Sequence, residues 1–250
     1  MLTVCGELKT AIEAAGDSIY PMDFILNSSN GAWEPVIYEF GGQLFNEDGT
    51  SALASDEAVA GIQALVDMID EGYIPDYQTI SDTAAEELFI SGQTCMLYLP
   101  TFSAQKVEQA EMENVKLIQI PTAKSQDFLA STMHYGMNAA SEHKDEAWKF
   151  LEYLAGEEAN DIIGKSGIDL PARLSSQEYY GESFTKFDGQ AFVDVIPSAK
   201  PAESGPAYAS DEINSIMNEQ MIEIFNKNVE VKEGLEQMAA DINAAIEAGK

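Results

Sequence analysis

The chain has 250 residues, of which 45% are hydrophobic and 9% aromatic, and this composition excludes a disordered protein. Acidic residues outnumber basic ones by 43 to 13, and the formal net charge of −30 argues against partners such as nucleic acid or an anionic membrane surface. The length is enough for one large domain or two small ones with a sizeable core.

The first half of the chain alternates predicted helices and strands. A short helix ends at Gly16, and the segment 20–29 is a predicted strand that runs into a polar loop. Residues 55–72 form an amphipathic helix with Ser55 as its N-cap. A capping box at Thr83 starts the next helix, which ends near residue 92.

The second half has two further predicted strands and is otherwise mostly helical. The runs "TCMLYLP" and "VKLIQIP" are typical of strands that stop at a proline. A helix follows Ser141, with an inward face formed by Ala147, Trp148, Leu151 and Leu154. A connector at 196–210 leads to two striped helices at the end of the chain. The alternation of strands and helices indicates an α/β protein.

The acidic loop "GGQLFNEDGTSALASDEA", residues 41–58, invites comparison with a calcium-binding loop. An EF-hand register with Gly49 at position 6 places Leu44 and Ser55 at positions 1 and 12, where neither supplies the required ligand. The loop is therefore predicted to be a turn at residues 46–49 followed by a capped helix, with no metal bound.

Catalytic motifs of common classes are missing from the sequence. There are two histidines, and no H-x-x-x-H, C-x-x-C or G-x-S-x-G pattern occurs. Neither a cofactor nor a catalytic residue is predicted. A pair of carboxylates for glycoside hydrolysis stays open as an alternative, because only the distance between two such groups in space is diagnostic.

Large aromatic residues in loops indicate a sugar-binding site instead. Trp33, Phe102 and Tyr208 each lie just beyond a regular element, beside small polar residues. Aromatic faces stack on the C–H faces of pyranose rings, while groups such as those of Asn30 and Ser29 bond sugar hydroxyls.

Seven stretches, taken together and in order, resemble the extracellular solute-binding proteins of ABC sugar importers, the family that includes maltose-binding protein. They are "GELKTAIEAAG", "GGQLFNEDG", "ASDEAVAGIQALVDMIDEGYIPD", "LFISGQTCMLYLPTF", "MNAASEHKDEAWKFLEYLAGEE", "SGIDLPARLS" and "VEVKEGLEQMAADINAAI". The resemblance implies the type II periplasmic-binding-protein-like α/β fold, with two lobes that close on a carbohydrate.

The resemblance also implies how the chain is divided. Residues 1–133 and 193–250 would form the C-terminal lobe, and residues 134–192 would be a returning piece of the N-terminal lobe. Most of that N-terminal lobe would lie outside this sequence, so the chain is expected to be a fragment.

The resemblance assigns expected ligand contacts to six residues. Trp33 and Asn30 match a loop that often touches the sugar, with Ser29 beside them. Phe102 stands where the family often has a cleft Trp, and Tyr208 matches a cleft aromatic. Arg173 matches a frequent family element, and a salt bridge that anchors its loop is an equal alternative.

The implied function is that of a monomeric, non-catalytic carbohydrate-binding component that delivers sugar to the permease subunits of an ABC transporter. It would work outside the cell or in the periplasm, tethered as a lipoprotein in the full-length form, although no signal-peptide pattern follows Met1. The open alternatives are a glycoside hydrolase and an acidic calcium-binding or protein-interaction module.

Overall fold

The computed structural model of the chain describes residues 2–26, 33–110, 112–120, 123–124, 128–203 and 205–249. Two short strands, β1 (Leu129–Ala130) and β2 (Lys200–Pro201), pair with each other. The α-helices, in chain order, are α1 (Leu2–Ala15), α2 (Trp33–Glu39), α3 (Asp56–Asp70), α4 (Tyr77–Asp82), α5 (Ala85–Ile90), α6 (Ala104–Gln109), α7 (Lys144–Ala155), α8 (Glu157–Ser166), α9 (Gln177–Glu182), α10 (Gln190–Asp194), α11 (Ser210–Phe225) and α12 (Val231–Ala248).

The chain divides into two compact units. The first unit contains Met1–Leu99, Ile120–Leu129 and Lys200–Lys250, and the second unit contains Pro100–Gln119 and Ala130–Ala199. The division expected from the sequence put residues 100–119, 130–133 and 193–199 with the C-terminal lobe, together with the residues of the first unit, whereas here these residues lie in the second unit. Which unit corresponds to which lobe stays a prediction.

The first unit is held together by two helix pairs. Helix α3 starts at its predicted N-cap, where the Ser55 hydroxyl accepts the Ala58 N–H at 3.3 Å. It packs closely on α2 because Gly61 lies against the Ile37 backbone, where a Cβ would be 3.2 Å from the Ile37 Cα atom. Helix α11 packs on α12 in the same way, with Gly234 against the Ile224 side chain.

The buried stripes of these helices join one hydrophobic core. The predicted inward faces of α3, α11 and α12 are confirmed, with most of their large apolar residues less than a tenth exposed. The most deeply buried members of this core include Ile37, Leu44, Leu53, Ile62, Leu65, Ile74, Ile80, Leu235, Met238 and Ile242.

Two of the predicted strands meet, but as isolated bridges. The segments at 20–26 and 94–98 run parallel: the Asp23 N–H donates to the Met96 carbonyl at 2.8 Å, and the Tyr98 N–H donates to the Asp23 carbonyl at 3.0 Å. Residues 115–120, from the third predicted strand, lie outside any described helix or strand. The apolar runs in the sequence therefore predict where the chain is extended. They do not predict whether the extended segments pair in a regular sheet.

The two cysteines differ in exposure. Cys5 is fully buried in α1, whereas Cys95 is exposed, and both thiols are free. The apolar run around Cys95 predicts a buried thiol, and that prediction is wrong. Along this extended segment the adjacent Thr94 is the buried residue, so Cys95 faces the opposite side.

The acidic loop forms the predicted turn. Gly49 has a φ of +81°, a left-handed conformation that favours glycine. The Asp48 carboxylate accepts the Thr50 N–H at 3.0 Å and the Thr50 hydroxyl at 2.6 Å. These local bonds account for the clustering of Asp and Gly, and among the described residues no group of three or more His, Cys, Asp or Glu side chains could hold a metal ion.

The second unit packs around aromatic rings. Tyr180 is fully buried and meets Phe184 edge-to-face, with the ring centroids 5.0 Å apart. Phe184 in turn stacks on Phe187 at 4.9 Å. The Tyr180 hydroxyl donates to the Thr101 carbonyl at 2.8 Å, so this cluster also fixes the turn at 101–103.

Helix α7 forms at the predicted place, but its predicted inward face is not buried. None of its residues is buried, Trp148 is 60% exposed, and Ala147, Leu151 and Leu154 are only partly covered. Helical periodicity identified the apolar side of α7 correctly. It could not show whether another described element packs against that side.

Candidate functional site

Tyr208 is an exposed aromatic residue at the edge of a groove in the first unit. It lies in a short helical turn, 207–209, directly before α11, and is 55% exposed. Its ring rests against Gly249, where an added Cβ would come within 2.5 Å of the ring. A small residue at 249 therefore leaves room for the ring beside the end of α12, while more than half of the side chain stays exposed.

The groove beside Tyr208 runs between α11 and α12, is open to solvent, and has a volume of about 680 Å³. Its walls carry carboxylates and small residues, among them Glu212, Glu219, Asp241 and Ala245. Asp241 accepts hydrogen bonds from the Gln220 and Gln237 side-chain amides, at 2.7 Å and 2.9 Å. One open aromatic face among hydrogen-bonding groups is a suitable surface for a polyhydroxylated ligand.

Phe102 is the corresponding exposed ring of the second unit. It lies in the turn at 101–103 that leads into α6 and is 54% exposed. The turn is anchored at the residue before Phe102, by the Tyr180 bond to the Thr101 carbonyl and by a 3.4 Å bond between the Thr101 hydroxyl and Asp169. The side chain of Phe102 therefore projects from a fixed backbone.

Arg173 forms an ion pair at the surface of the second unit. Its Nη2 atom lies 3.6 Å from Oε2 of Glu157, and both side chains are largely exposed. Its backbone N–H donates to the Asn160 side chain at 3.3 Å. These contacts agree with the alternative in which Arg173 anchors its loop, and an exposed pair of this kind adds little to stability.

Trp33 lies in the core and not at the surface. It is the first residue of α2 and is 1% exposed, so its ring contacts protein on all sides. A stacking role for Trp33 stays a prediction, and the observed packing supports a structural role. The two polar residues predicted beside it, Asn30 and Ser29, lie outside the described residues.

Buried carboxyl groups in the first unit were not singled out from the sequence. Glu34 is 8% exposed, and burial raises its pKa to about 8. Asp23 is fully buried, and burial raises its pKa to about 7. One oxygen of Asp23 accepts the N–H of Phe24 at 2.8 Å, while the other has no hydrogen-bond partner among the described residues.

Glu39 is a third buried carboxyl group of the first unit. It is 4% exposed and accepts the Tyr98 hydroxyl at 3.3 Å, and burial raises its pKa to about 7. The Tyr98 ring stacks on Phe24, next to Asp23, with the centroids 5.1 Å apart. The sequence signal was weak, because burial of an acidic residue depends on tertiary packing and not on local pattern.

A family model matches more than half of the chain. Residues 7–161 match bacterial extracellular solute-binding protein. The chain belongs to this family. The resemblance of the seven sequence stretches is thereby confirmed at the level of the family.

Curated relatives are found in Brucella. A binding protein of Brucella abortus (strain 2308) and one of Brucella suis biovar 1 are each 25% identical over 222 residues, which cover 84% of this chain. The matched region is 52% of those proteins, so the chain spans about half the length of its curated relatives.

Solved structures of solute-binding proteins share the fold. The ABC substrate-binding protein Lmo0181 from Listeria monocytogenes, solved in complex with cycloalternan, is similar with a TM-score of 0.78 at 17% identity, covering 92% of this chain and 59% of that one. The maltose/maltodextrin-binding domain MalE from Bdellovibrio bacteriovorus, bound to maltotriose, gives 0.74 at 20% identity, covering 92% and 61%. M. tuberculosis UspC gives 0.68 at 22% identity, covering 91% and 58%.

These similarities establish the fold class. The solute-binding-protein family has the periplasmic-binding-protein-like fold, and the described residues of this chain share it over about three fifths of the two sugar-bound neighbours, with many helices and one small sheet. Within the described residues, no helix combines the length and the apolar character needed to cross a membrane.

Proposed function

We propose that this chain is all or part of the carbohydrate-binding component of an ABC importer, acting without catalysis. The observation that carries the proposal is the family match over residues 7–161, together with a fold shared with proteins solved with cycloalternan and maltotriose. The partners would be an oligosaccharide and the transmembrane permease subunits. The protein would act as a monomer outside the cell or in the periplasm, anchored as a lipoprotein in its full-length form.

Tyr208 and Phe102 are the proposed stacking residues. Both are more than half exposed, and both sit on turns fixed by neighbouring contacts, so little rotational freedom is lost when a sugar binds. Trp33, Asn30, Ser29 and Arg173 complete the predicted set. Their assignment rests on the family resemblance, because Trp33 is buried and Arg173 is paired with Glu157.

Saturation-transfer NMR with maltotriose and a panel of related oligosaccharides tests the proposal, because this method detects weak binding. We expect transfer to the sugar protons in the unaltered chain, and a several-fold smaller effect in Tyr208→Ala and Phe102→Ala. Leu174→Ala is the matched control, since Leu174 is 77% exposed but has no proposed contact with sugar. If no oligosaccharide receives saturation, the chain does not bind carbohydrate and the proposal is wrong.

A further inference from the structure

Asp169 has a carboxylate with one free oxygen in the neighbourhood of Phe102. Its Oδ1 atom accepts the Leu170 N–H at 2.8 Å and the Thr101 hydroxyl at 3.4 Å. Its Oδ2 atom accepts no hydrogen bond from the described residues, and it is not one of the buried polar atoms that lack a partner, so it is open to solvent. One oxygen of this carboxylate therefore holds the local backbone, and the other is available to a ligand.

The hydrogen bond to Thr101 limits the distance between the carboxylate and Phe102. Thr101 and Phe102 are consecutive residues, so the carboxylate oxygen that Thr101 contacts lies within about 10 Å of the Phe102 Cα atom. The Tyr180 hydroxyl donates to the Thr101 carbonyl in the same region. Burial and the nearby Asp169 charge both raise the pKa of Tyr180. An oligosaccharide stacked on Phe102 would therefore have this carboxylate within reach of its hydroxyl groups.

No described basic side chain pairs with the Asp169 carboxylate. Two basic residues close to it in sequence have other acidic partners: Lys165 lies 3.9 Å from Asp161, and Arg173 lies 3.6 Å from Glu157. An ionised carboxylate makes strong hydrogen bonds to hydroxyl donors and repels other anions at short range. The surroundings of the exposed ring therefore favour a ligand that offers hydrogen-bond donors and carries no negative charge.

We infer that Asp169 is a specificity-determining residue beside Phe102, where its free oxygen accepts hydroxyl groups of a neutral sugar and its charge excludes uronic or phosphorylated sugars. The inference rests on the proposed function, because it requires a sugar stacked on Phe102. An aromatic face stacks on the C–H groups of many pyranose rings, so Phe102 alone does not separate neutral from anionic sugars. Asp169 supplies that distinction.

The alternative role for Asp169 is to anchor the turn through Thr101, and substitutions of similar size separate the two roles. Thr101→Val removes the hydroxyl that Asp169 accepts, but it keeps the carboxylate and the backbone carbonyl that Tyr180 contacts. Asp169→Asn removes the charge and keeps an acceptor oxygen. Asp169→Ala removes both.

NMR titrations of the isotopically labelled chain at physiological salt test the inference. The probes are maltotriose and a maltotriose whose terminal glucose is oxidised to glucuronic acid. We expect the unaltered chain to bind maltotriose several-fold more tightly than the acid. Asp169→Ala should weaken maltotriose binding about tenfold or more, as expected when hydrogen bonds to a charged group are lost. Thr101→Val should change the dissociation constant less than about twofold, because Tyr180 still holds the turn.

The preference for the neutral sugar should decrease several-fold in Asp169→Asn. Asp194→Asn is the matched control, because it removes the same charge from α10, where the carboxylate accepts only the Gln190 side-chain amide among the described residues. Physiological salt screens exposed charges that are more than about 8 Å apart, so this control should keep the preference of the unaltered chain. Asp169→Asn also keeps the test decisive if Asp169→Ala does not fold.

Three results would overturn the inference and leave the proposed function standing. The first is maltotriose binding that is unchanged in folded Asp169→Ala. The second is equal weakening by Thr101→Val and Asp169→Ala, which would make Asp169 an anchor of the turn. The third is a preference for the neutral sugar that Asp169→Asn changes no more than Asp194→Asn does. If the unaltered chain binds neither sugar, the proposed function and the inference are both wrong.

Discussion

At the residue scale, the buried carboxyl groups of the first unit couple its stability to pH. Asp23, Glu34 and Glu39 have pKa values raised by burial to about 7, 8 and 7. Their protonated forms are therefore favoured in the folded state relative to the unfolded chain. The stability they contribute is fully present below the ordinary carboxyl pKa and is lost as the pH rises through the folded values.

We predict that the free energy of unfolding of the first unit decreases as the pH is raised from about 5 to about 9. In Asp23→Asn the decrease should be shallower, because one of the titrating groups is removed. Urea unfolding monitored by circular dichroism at several pH values measures this slope. A slope that is unchanged in Asp23→Asn would show that this carboxyl does not titrate in that range.

Asp76 provides a control, because its contribution to stability changes with pH in the opposite direction. It caps α4 by accepting the Thr79 N–H at 2.7 Å, and this hydrogen bond lowers its pKa. Its contribution is present at neutral pH and is lost as the pH falls through the lowered value. Asp76→Ala should therefore destabilise the chain at neutral pH and have a smaller effect in acid.

The two thiols give a second prediction at this scale. Because Cys95 is exposed and Cys5 is fully buried, we predict that a thiol reagent such as DTNB modifies one cysteine per native chain and two after denaturation. The absorbance of released thionitrobenzoate gives the count. Labelling of Cys5 at the same rate as Cys95 in the native chain would contradict the packing of α1.

Single residues also show that the exposure of a side chain could not be predicted from the sequence. The sequence placed Trp33 in a polar loop as a sugar contact, and the structure places it at the start of α2 in the core. It also gave no reason to select Glu34 or Asp23 among so many acidic residues. Exposure of a side chain depends on which distant elements cover it, and no local pattern encodes that.

At the scale of elements, the core helices were predictable because their signals are local. The Ser55 cap, the left-handed glycines at 16, 72 and 92, and the apolar stripes of α11 and α12 each depend on neighbours within a few residues. The extended segments were less predictable, since a regular sheet requires several strands in register. Helix α7 shows the same difference between local and tertiary signals. Its position along the chain was predicted correctly, but the predicted burial of its apolar side was wrong.

A substitution in α12 tests the core directly. Leu235 is fully buried in the core cluster, so Leu235→Ala should reduce the free energy of unfolding by about 2–5 kcal/mol, through lost apolar burial and the cavity that remains. Leu2→Ala is the matched control, because Leu2 is 51% exposed and the change should cost less than about 0.5 kcal/mol. Equal effects in urea titrations would contradict the assignment of α12 to the core.

At the scale of the whole molecule, the chain combines a well-packed first unit with a second unit that leaves much apolar surface exposed. Together they span about three fifths of the Lmo0181 chain. Family membership followed from the order of several weak sequence stretches, whereas sugar specificity depends on the shape of a complete site and could not be predicted.

We therefore predict that the chain alone binds sugar weakly. Burial of a ligand from two sides supplies most of its contacts, and an open surface with one stacking ring supplies only a fraction of them. Isothermal calorimetry with maltotriose should accordingly show no micromolar binding by this chain.

The most direct measurement of the central claim is a maltotriose titration of the isotopically labelled chain, followed by two-dimensional NMR into the millimolar range. The proposed function predicts saturable shifts that include residues around Tyr208 or Phe102, with a dissociation constant weaker than micromolar. Saturable binding that leaves both turns unshifted would contradict the site. Spectra that do not change at any sugar concentration would contradict carbohydrate binding by this chain.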